Sequence, residues 1–584
     1  MSLLGRIRTA FARRAGVRAP LPIWHHPHYT MPLTDLEQTV GIETRRGDLA
    51  LWALLEGRNR KKIAVHEPLK VGYGPLGLVH TEDYLHGLTQ SAGLAKVLGL
   101  DLPSLPIDSV LTTFRLAVGG TVEATRFALR EKTATLNLLG GFHHAYPDRG
   151  AGLCAFNDLA VALQVARRDG FIGRLAILDL DAHPPDGTAA CFAGDPKVWI
   201  GSISGSYWGD LPSVDENVIP NANDEHYLST LEGLLQRLPS TDLVMVIAGG
   251  DVLAGDRLGK LNLSYAGVKR RDQAVLEAIG DRPSVWLPGG GYRPDSWRCL
   301  AQTATVLMGE DAHPIPKGLD PLASHFQWLS KGLSPRELGQ PDDTFSAEEM
   351  DTWFGVRAPP LRLLGFYTTE GIEHALEVFG ILDRLTRLGY SGFEVVLSKS
   401  TTGDRVQLFG NGGGARHLLW EMVVARETYD NAEVGVIHWM TMRHPLGQFY
   451  PGRPKLPGQE APGLGLAEEA LHLVARMAER LHLDGILVRP SWFHSAYIFR
   501  SVLQFADPRV QGEFEALIRD LGHLPLPVLT QAIADGKVKR NDQPWRWTAE
   551  PMVAWRSRPR PEKIPSNAKF SLSIEEGAAT ESST

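Results

Sequence analysis

Residues 177–188 read ILDLDAHPPDGT, and this segment is the most informative one about the fold. Its apolar start is typical of a central strand in a parallel sheet, and Asp179, Asp181 and His183 alternate along it, so their side chains face a common region. Two consecutive prolines follow the histidine and prevent the strand from continuing, because proline cannot donate to a β-ladder. The stretch therefore predicts a strand that ends in two carboxylates and one imidazole, which is divalent-metal chemistry.

The same pattern of apolar runs recurs between residues 21 and 307. Most of the runs end in Gly, Asp or His, and helix-like segments such as 157–168 and 266–280 separate them; the runs are LPIWHH, TLNLLGG, LAILDLD, KVWIGSIS, DLVMVIAGGD and SVWLPGGGY. Alternation of strands and amphipathic helices predicts an α/β fold with an open, largely parallel sheet flanked by helices.

The length of 584 residues favours two domains, because one hydrophobic core stops growing well below that size. We expect a second α/β or α+β domain in the C-terminal half. The predicted segments are a basic N-terminal segment 1–20, a first domain 21–310, a linker 311–360, a second domain 361–555 and a disordered tail 556–584.

Composition excludes several function classes. The chain has 60 basic and 67 acidic residues and a net charge of −7, so nothing favours direct binding of nucleic acid. Three cysteines without a CxxC pair indicate a reducing, cytoplasmic setting, and no apolar run is long enough for a membrane span. The Arg-rich segment 1–20 is typical of a loosely docked terminal helix; a transit peptide or a membrane-surface helix is the alternative. Composition does not determine an oligomeric state.

Further metal-ligand and acid–base residues stand at the ends of other predicted strands. They are His143, His144, Asp251 and Tyr292. Because the carboxyl ends of parallel strands meet at one edge of an open sheet, we expect these side chains to converge on the cluster at residues 179–183.

Four ordered motifs resemble the histone deacetylase family, within the arginase/deacetylase fold. The motifs are GGFHHAYPDRGAGLCAFNDLAVA from Gly140, ILDLDAHPPDGT from Ile177, IAGGDVLAGDRLGKLNLS from Ile247, and LPGGGY ending at Tyr292. Their order and spacing are also similar to the family, and the resemblance covers roughly half of the chain.

The resemblance implies a role for each matching residue. Asp181, His183 and Asp251 match the metal ligands, with Zn²⁺ as the usual metal and Fe²⁺ as an alternative. The resemblance also implies a structural K⁺ bound by backbone carbonyls near Asp179, Asp181, His183 and Ser202. The paired histidines His143 and His144 are supported by Asp179 and Asp186, and Tyr292 polarises the amide carbonyl. In this interpretation metal-activated water attacks the amide, with His144 as general base and then acid.

Two departures from the family concern the substrate channel. The family commonly has His-Gly where Pro184 and Pro185 stand, and Leu153, after Gly152, replaces an aromatic wall of the acyl-lysine tunnel. We assign Gly152 and Leu153 to substrate binding. Tyr207 or Trp208 could supply the aromatic wall from another loop, or could simply be exposed.

Several residues favour a structural interpretation. A second metal, as in the binuclear manganese enzymes of this fold, would need carboxylates where Val252 and Leu253 stand. The histidines of WHHPHY are explained by a strand followed by a Pro-containing loop, and Cys154 by packing. Asp158 and Asp256 are interpreted as turn or cap residues.

The second domain carries a glycine-bearing segment before a helix. Gly463 and Gly465 precede apolar residues at helical spacing over 466–481, and the strand-like DGILVRP follows. This loosely resembles Gcn5-type acetyltransferases and implies an acetyl-CoA site, but Glu460 and Arg500 depart from that pattern. A helix start that only packs the domain is favoured, and GNGGGARH from Gly410 is interpreted as a flexible turn.

These observations predict a zinc-dependent deacetylase that removes acetyl or another small acyl group from amines. The substrate class is an acylated amine, either acetyl-lysine in proteins or a small molecule such as an acetylpolyamine. Two alternatives remain open: a catalytically silent scaffold or binding module with the deacetylase fold, and a bifunctional protein with a C-terminal acyltransferase.

Overall fold

A computed structural model describes residues 19–31, 33, 42–100, 105–309, 312–339, 361–450, 453–556, 558–559 and 564–572. The chain divides into two compact units, Met1–Ser324 and His325–Thr584, called here the first and second units. The predicted N-terminal helix within residues 1–20 lies almost wholly outside the described residues.

The first unit is built on an eight-stranded sheet in which every neighbouring pair of strands is parallel. The spatial order is β2-β1-β3-β8-β7-β4-β5-β6. The strands are β1 Leu21–Trp24, β2 Ile63–His66, β3 Ala134–Asn137, β4 Leu175–Asp179, β5 Val198–Ser204, β6 Val214–Val218, β7 Leu243–Ile247 and β8 Ser284–Leu287. This confirms the predicted α/β class and the parallel sheet.

Helices flank this sheet and have clear local causes. The Asn157 side chain caps one helix by accepting a hydrogen bond from the Ala160 amide, and Ser264 caps another through the Gly267 amide. The helices are α1 Arg46–Leu55, α2 Tyr73–Leu76, α3 Glu82–Gly87, α4 Ser91–Leu98, α5 Ile107–Glu131, α6 Asp158–Arg168, α7 Asp186–Cys191, α8 Asp224–Gln236, α9 Tyr265–Ile279 and α10 Trp297–Met308. Short 3₁₀ helices cover Pro27–Tyr29 and Gly57–Lys62.

The two central strands β4 and β7 place the site. Every residue of both strands is buried, as their continuous apolar sequences predict. Their register pairs Asp179 with Ile247, so the loops that follow the two strands leave the sheet side by side at its carboxyl edge. Residues 180–183 and 248–251 are therefore neighbours in space.

The second unit has a seven-stranded sheet of order β14-β17-β13-β12-β11-β10-β9. Its strands are β9 Ser391–Lys399, β10 Asp404–Gly412, β11 Ala415–Tyr429, β12 Ala432–Met442, β13 Gly485–Val488, β14 Gln504–Phe505 and β17 Met552–Trp555; a second sheet joins β15 Val538–Arg540, β16 Gln543–Pro544 and β18 Phe570–Leu572. Neighbours in the large sheet are antiparallel except β12 and β13, which are parallel.

The remaining helices follow from residue 321 onward. The unit boundary falls within α11 Pro321–Gly332, and the others are α12 Pro335–Leu338, α13 Thr369–Val378, α14 Ile381–Arg387, α15 Ala467–Arg480, α16 Phe493–Phe499, α17 Pro508–Leu521 and α18 Leu526–Ala534. None of the helices in the described part of the chain combines the length and the apolar character needed to span a bilayer.

Three regions differ from the sequence interpretation or refine it. The tail 556–584 was expected to be disordered, yet residues 570–572 form β18, which pairs with β15. The expected linker 311–360 contains α11 and α12, and its residues 340–360 lie outside the described part. The GNGGGARH segment is a turn, as predicted: Gly413 and Gly414, both at positive φ, join β10 to β11.

Candidate metal and active site

Two carboxylates and one imidazole converge at the carboxyl edge of the first sheet. Asp181, His183 and Asp251 are buried, and their ligand atoms lie within 4.8 Å of one another. The Nδ1 atom of His183 is 3.0 Å from Asp181 Oδ1 and 2.9 Å from Asp251 Oδ2. The structure thus brings together the three residues that the sequence predicted as metal ligands.

Backbone amides fix both carboxylates. The amides of His183 and Gly290 donate to Asp181 at 3.0 and 2.6 Å, and the amide of Ala182 donates to Asp251 Oδ1 at 3.0 Å. Gly290 has no room for a side chain, because a Cβ there would lie 2.4 Å from Asp251 Oδ2. The glycines before Tyr292 are therefore needed for close approach of the backbone to the carboxylates.

Two histidine–aspartate pairs stand beside the cluster. His143 Nδ1 is 2.8 Å from Asp179 Oδ2, and His144 Nδ1 is 2.6 Å from Asp186 Oδ1. The two imidazole ring centres are 4.0 Å apart. The carboxylate on each Nδ1 fixes the tautomer and leaves Nε2 of each ring as the reactive nitrogen.

The pKa values of His143 and His144 are shifted in opposite directions. Burial opposes the charge on His143, but the carboxylates of Asp179 and Asp181 outweigh it and raise its pKa to about 9. Burial and the charge on His143 lower the pKa of His144 to about 4 despite its bond to Asp186. At neutral pH His143 is therefore the charged member and His144 the neutral one, as a general base must be.

The cluster of Asp181, His183 and Asp251 favours positive charge. Burial and the neighbouring Asp181 raise the pKa of Asp251 to about 7, whereas the carboxylates of Asp181 and Asp251 overcome burial and raise the pKa of His183 to about 11. Two adjacent buried carboxylates thus demand a cation between them. The oxygen and nitrogen donor set fits a divalent ion such as Zn²⁺ or Fe²⁺.

A separate polar atom fits the structural K⁺ that the family resemblance implies. The hydroxyl of Ser202 is buried on β5 and has no hydrogen-bond partner among the described residues. Ser202 pairs in register with Asp179 of β4. A buried hydroxyl left without a partner is costly, so this position suits an oxygen-coordinated cation.

Tyr292 lies at the same edge, with its ring centre 6.3 Å from that of His183. Burial raises the pKa of its hydroxyl well above the usual value, and the charges of Asp181 and Asp251 act in the same direction. The phenol therefore keeps its proton and can donate a hydrogen bond.

A cavity of about 120 Å³ opens beside these residues. Tyr292, His143, His144 and Leu153 are among its lining residues, as is Arg46, whose Nη2 donates to the Gly289 carbonyl at 2.6 Å. The reactive groups therefore face a space that can hold a small organic substrate.

The predicted substrate-binding residues Gly152 and Leu153 line the same cavity as His144, and Gly152 lies directly against that ring. Both have positive φ, 51° and 66°, and a Cβ at Gly152 would lie 2.4 Å from His144 Cδ2. Both Tyr207 and Trp208 are exposed, at 63% and 53%, and the Trp208 ring also stacks on His144 with the ring centres 4.9 Å apart. Of the two, Trp208 is therefore the one that presents an aromatic surface beside His144.

Asp158 and Asp256 do more than the sequence interpretation assigned to them. Asp158 is fully buried and accepts hydrogen bonds from the amides of Gly141 and Phe142, directly before the paired histidines. Asp256 forms a turn through the amides of residues 258 and 259 and also accepts from the Tyr292 amide at 2.8 Å. Only the placement of the loops in space could reveal these contacts.

The residues assigned to structural roles lie as expected. His25 Nε2 is 2.6 Å from Asp48, and the Nδ1 atom of His26 accepts from the His28 amide at 3.0 Å, so local contacts account for the WHHPHY histidines. Cys154 is buried, and burial raises the pKa of its thiol well above the usual value. A thiol held in this protonated state is a poor nucleophile.

Comparisons with known proteins concern the first unit. A family model described as the histone deacetylase domain matches residues 42–308. An uncharacterized protein of Picosynechococcus sp. is 34% identical over 285 residues, which cover 46% of this chain and 92% of that protein. Histone deacetylase 2 of Arabidopsis thaliana is 34% identical over 261 residues (42% of this chain, 67% of its own), and a probable deacetylase of Archaeoglobus fulgidus is 28% identical over 254 residues (40% and 70%).

Proposed function

This chain belongs to the histone deacetylase family, and from that premise we propose that its first unit is a metal-dependent amide hydrolase. It removes acetyl or another small acyl group from amines such as acetyl-lysine or acetylpolyamines. The observation that carries the proposal is the convergence of Asp181, His183 and Asp251 beside two histidine–aspartate pairs and a protonated tyrosine.

Asp181, His183 and Asp251 would hold the catalytic ion, which when bound would supply a Lewis acid for the acyl carbonyl. His144 starts neutral, with Asp186 on its Nδ1, so its Nε2 takes the proton of the attacking water. The imidazolium so formed then passes that proton to the leaving amine nitrogen. His143 stays charged on Asp179 and contributes electrostatic stabilisation.

Tyr292 supplies the second stabilising group. Its hydroxyl keeps its proton and donates to the carbonyl oxygen as negative charge develops there. The Asp256 carboxylate holds the Tyr292 amide at 2.8 Å and so fixes the start of this side chain's loop. Loss of one such donor costs roughly 100- to 1000-fold in kcat.

The decisive experiment is a deacylation panel of acetyl-lysine peptides and acetylpolyamines, run with Zn²⁺ and separately with Fe²⁺. The wild type should hydrolyse at least one substrate, and Tyr292→Phe should lose about 100-fold or more of that activity. Tyr207→Phe is the matched control, because Tyr207 is an exposed phenol nearby that bonds Asp210. Its activity should stay near that of the wild type.

Metal content tests the same proposal independently. The purified protein should retain about one Zn²⁺ or Fe²⁺ per chain, and Asp251→Ala should remove it. Failure to hydrolyse any member of the panel, with the metal bound, would favour the alternative of a catalytically silent scaffold.

A second candidate function concerns the second unit, for which we propose binding of acetyl-CoA and, with it, acyl transfer. β12 pairs with the parallel strand β13 over residues 434–437 and continues beyond the end of β13 to Met442. The segment that follows β12 leads through Gly463 and Gly465 into the 14-residue helix α15.

The start of α15 combines features that favour and oppose a pyrophosphate. The dipole of a helix favours an anion at its N-terminus, whereas the first turn of α15 carries two acidic residues, Glu468 and Glu469. The guanidinium of Arg453 donates to the Gly463 carbonyl at 2.8 Å and adds positive charge. Glu469, in the first turn, forms an ion pair with Arg384, which offsets its negative charge.

Calorimetric titration of the full chain with acetyl-CoA tests this second candidate. Binding heat and a raised melting temperature are expected for the wild type. Gly463→Val should abolish both without unfolding the protein, because a Cβ at this position meets no atom closer than the Met442 carbonyl oxygen at 4.0 Å. Absence of heat and of thermal protection in the wild type would remove the transferase proposal.

A further inference from the structure

Arg271 is a fully buried arginine on helix α9, behind the loops that carry the metal cluster. Its Nε donates to Asp272 Oδ1 at 2.9 Å, and both side chains are wholly inaccessible to solvent. Asp272 also accepts a hydrogen bond from the Thr303 hydroxyl at 2.6 Å. The guanidinium charge is therefore neutralised by its sequence neighbour, which leaves its other donors free to act elsewhere.

The Nη1 atom of Arg271 joins two separate loops. It donates to the Gly249 carbonyl at 2.7 Å and lies 3.3 Å from the Leu180 carbonyl. Leu180 directly precedes the ligand Asp181, and Gly249 stands two residues before the ligand Asp251. One cationic nitrogen thus bridges the backbone of the β4 loop to the backbone of the β7 loop, close to one ligand on each.

The two loops are packed too closely to admit a side chain between them. A Cβ at Gly249 would lie 2.7 Å from the Asp181 Cα and 2.7 Å from Asp251 Oδ1. The Ala182 amide ties the β4 loop to Asp251 Oδ1 at 3.0 Å on the other side of this contact. The separation of the two carboxylates is therefore set by backbone contacts, and Arg271 supplies the charged one.

We infer that Arg271 is a positioning residue for the metal site: it holds the loops of Asp181 and Asp251 at the separation that a divalent ion requires. The inference rests on the proposed function, because it assumes that these carboxylates bind a metal. Groups that orient metal ligands typically change metal affinity by 10- to 100-fold when they are removed.

The test measures the zinc dissociation constant by competition with a chromophoric chelator, on the full chain. Arg271→Met should weaken zinc binding 10- to 100-fold. Arg271→Lys keeps a charge beside Asp272 but lacks the fork that reaches Asp272 and the two loops together, so an intermediate loss is expected. Arg282→Met is the matched control. Arg282 follows the same helix and, like Arg271, donates to backbone carbonyls, but its three acceptors are those of residues 239, 278 and 279, away from the site.

The zinc affinity of the Arg271 variants distinguishes a residue that positions the metal ligands from one that only stabilises the fold. A purely structural arginine would lower the melting temperature of its variants while the folded protein kept wild-type zinc affinity, and that result for both Arg271 variants would overturn the inference. If Arg271→Met does not fold, the zinc affinity of Arg271→Lys alone tests the inference. A wild type that binds no zinc would overturn the proposed metal site and this inference together, whereas wild-type binding with unaffected Arg271 variants would refute only the inference.

Discussion

His80 makes the first unit sensitive to mild acid. Its Nδ1 lies 3.0 Å from the Tyr146 carbonyl and its Nε2 accepts the Asn157 amide at 3.1 Å, which is the pattern of a neutral ring with the proton on Nδ1. Protonation of Nε2 would turn it into a donor that faces another donor. Burial lowers the pKa of His80 to about 4.

The pKa shift of His80 makes the free energy of unfolding fall as the pH falls. The folded pKa of about 4 lies below the ordinary value of 6.5, so the unfolded chain binds more protons between those limits. The stabilisation is therefore complete above pH 6.5 and is lost as the pH falls toward 4, to a total of about 3 kcal/mol at about 1.4 kcal/mol per pH unit. At pH 5 about 2 kcal/mol of it is gone.

Urea unfolding at pH 7.5 and pH 5.0 measures this effect. The wild type should lose about 2 kcal/mol more of its free energy of unfolding than His80→Gln, whose side chain does not titrate. His226→Gln, at an exposed histidine of α8, should behave as the wild type does. His494 in the second unit also has its pKa lowered to about 4 by burial, but it is present in all three proteins and cancels.

Equal losses for the wild type and His80→Gln would refute the reasoning. Protonation of His80 should also affect the candidate active site. Asn157, which donates its amide to His80, donates as well from Nδ2 to the Ala145 carbonyl at 3.2 Å, directly after the paired histidines. Acid that releases His80 should therefore loosen this loop before the whole unit unfolds. Hydrogen exchange at the Ala145 amide would detect that opening.

Three other substitutions have distinct expected outcomes. Asp186→Asn should lower kcat up to about 10⁴-fold with little change in melting temperature, because the amide no longer fixes the His144 tautomer; steady-state kinetics measures this. Gly187→Ala should destabilise by about 1–3 kcal/mol in urea unfolding, because its Cβ would lie 2.5 Å from the His144 carbonyl carbon. Trp208→Ala should raise KM yet change stability by less than about 0.5 kcal/mol, because the ring is 53% exposed.

Central strands were predictable from the sequence, whereas edge strands were not. β4 and β7 are buried on both faces, so their continuous apolar runs are unambiguous. β2 has one fully buried residue, and β6, with the sequence VDENV, is only half-buried along its length. A strand that borders solvent does not need an apolar sequence, so its pattern cannot be distinguished from that of a loop.

The convergence of Asp181, His183 and Asp251 could be predicted because these residues follow buried strands that meet at one edge. The contacts that hold the cluster could not be, because they join residues distant in sequence: Asp256 to Tyr292, and Arg271 to residues 180 and 249. The contact of Trp208 could not be predicted for the same reason. A loop aromatic that is simply exposed and one that stacks on a neighbouring ring have the same local sequence, and only the fold brings the Trp208 ring onto His144.

The acidic edge strand β6 also bears on how the protein behaves when concentrated. An open sheet offers unpaired amides and carbonyls along its last strand, to which a second molecule can add a strand and begin aggregation. β6 is five residues long, carries Asp215 and Glu216, and has Asp215 tied to Arg237 at 2.7 Å. Covering this edge with a second strand would remove Glu216 and the Asp215–Arg237 pair from water, so charged side chains at this border of the sheet should oppose edge-to-edge association.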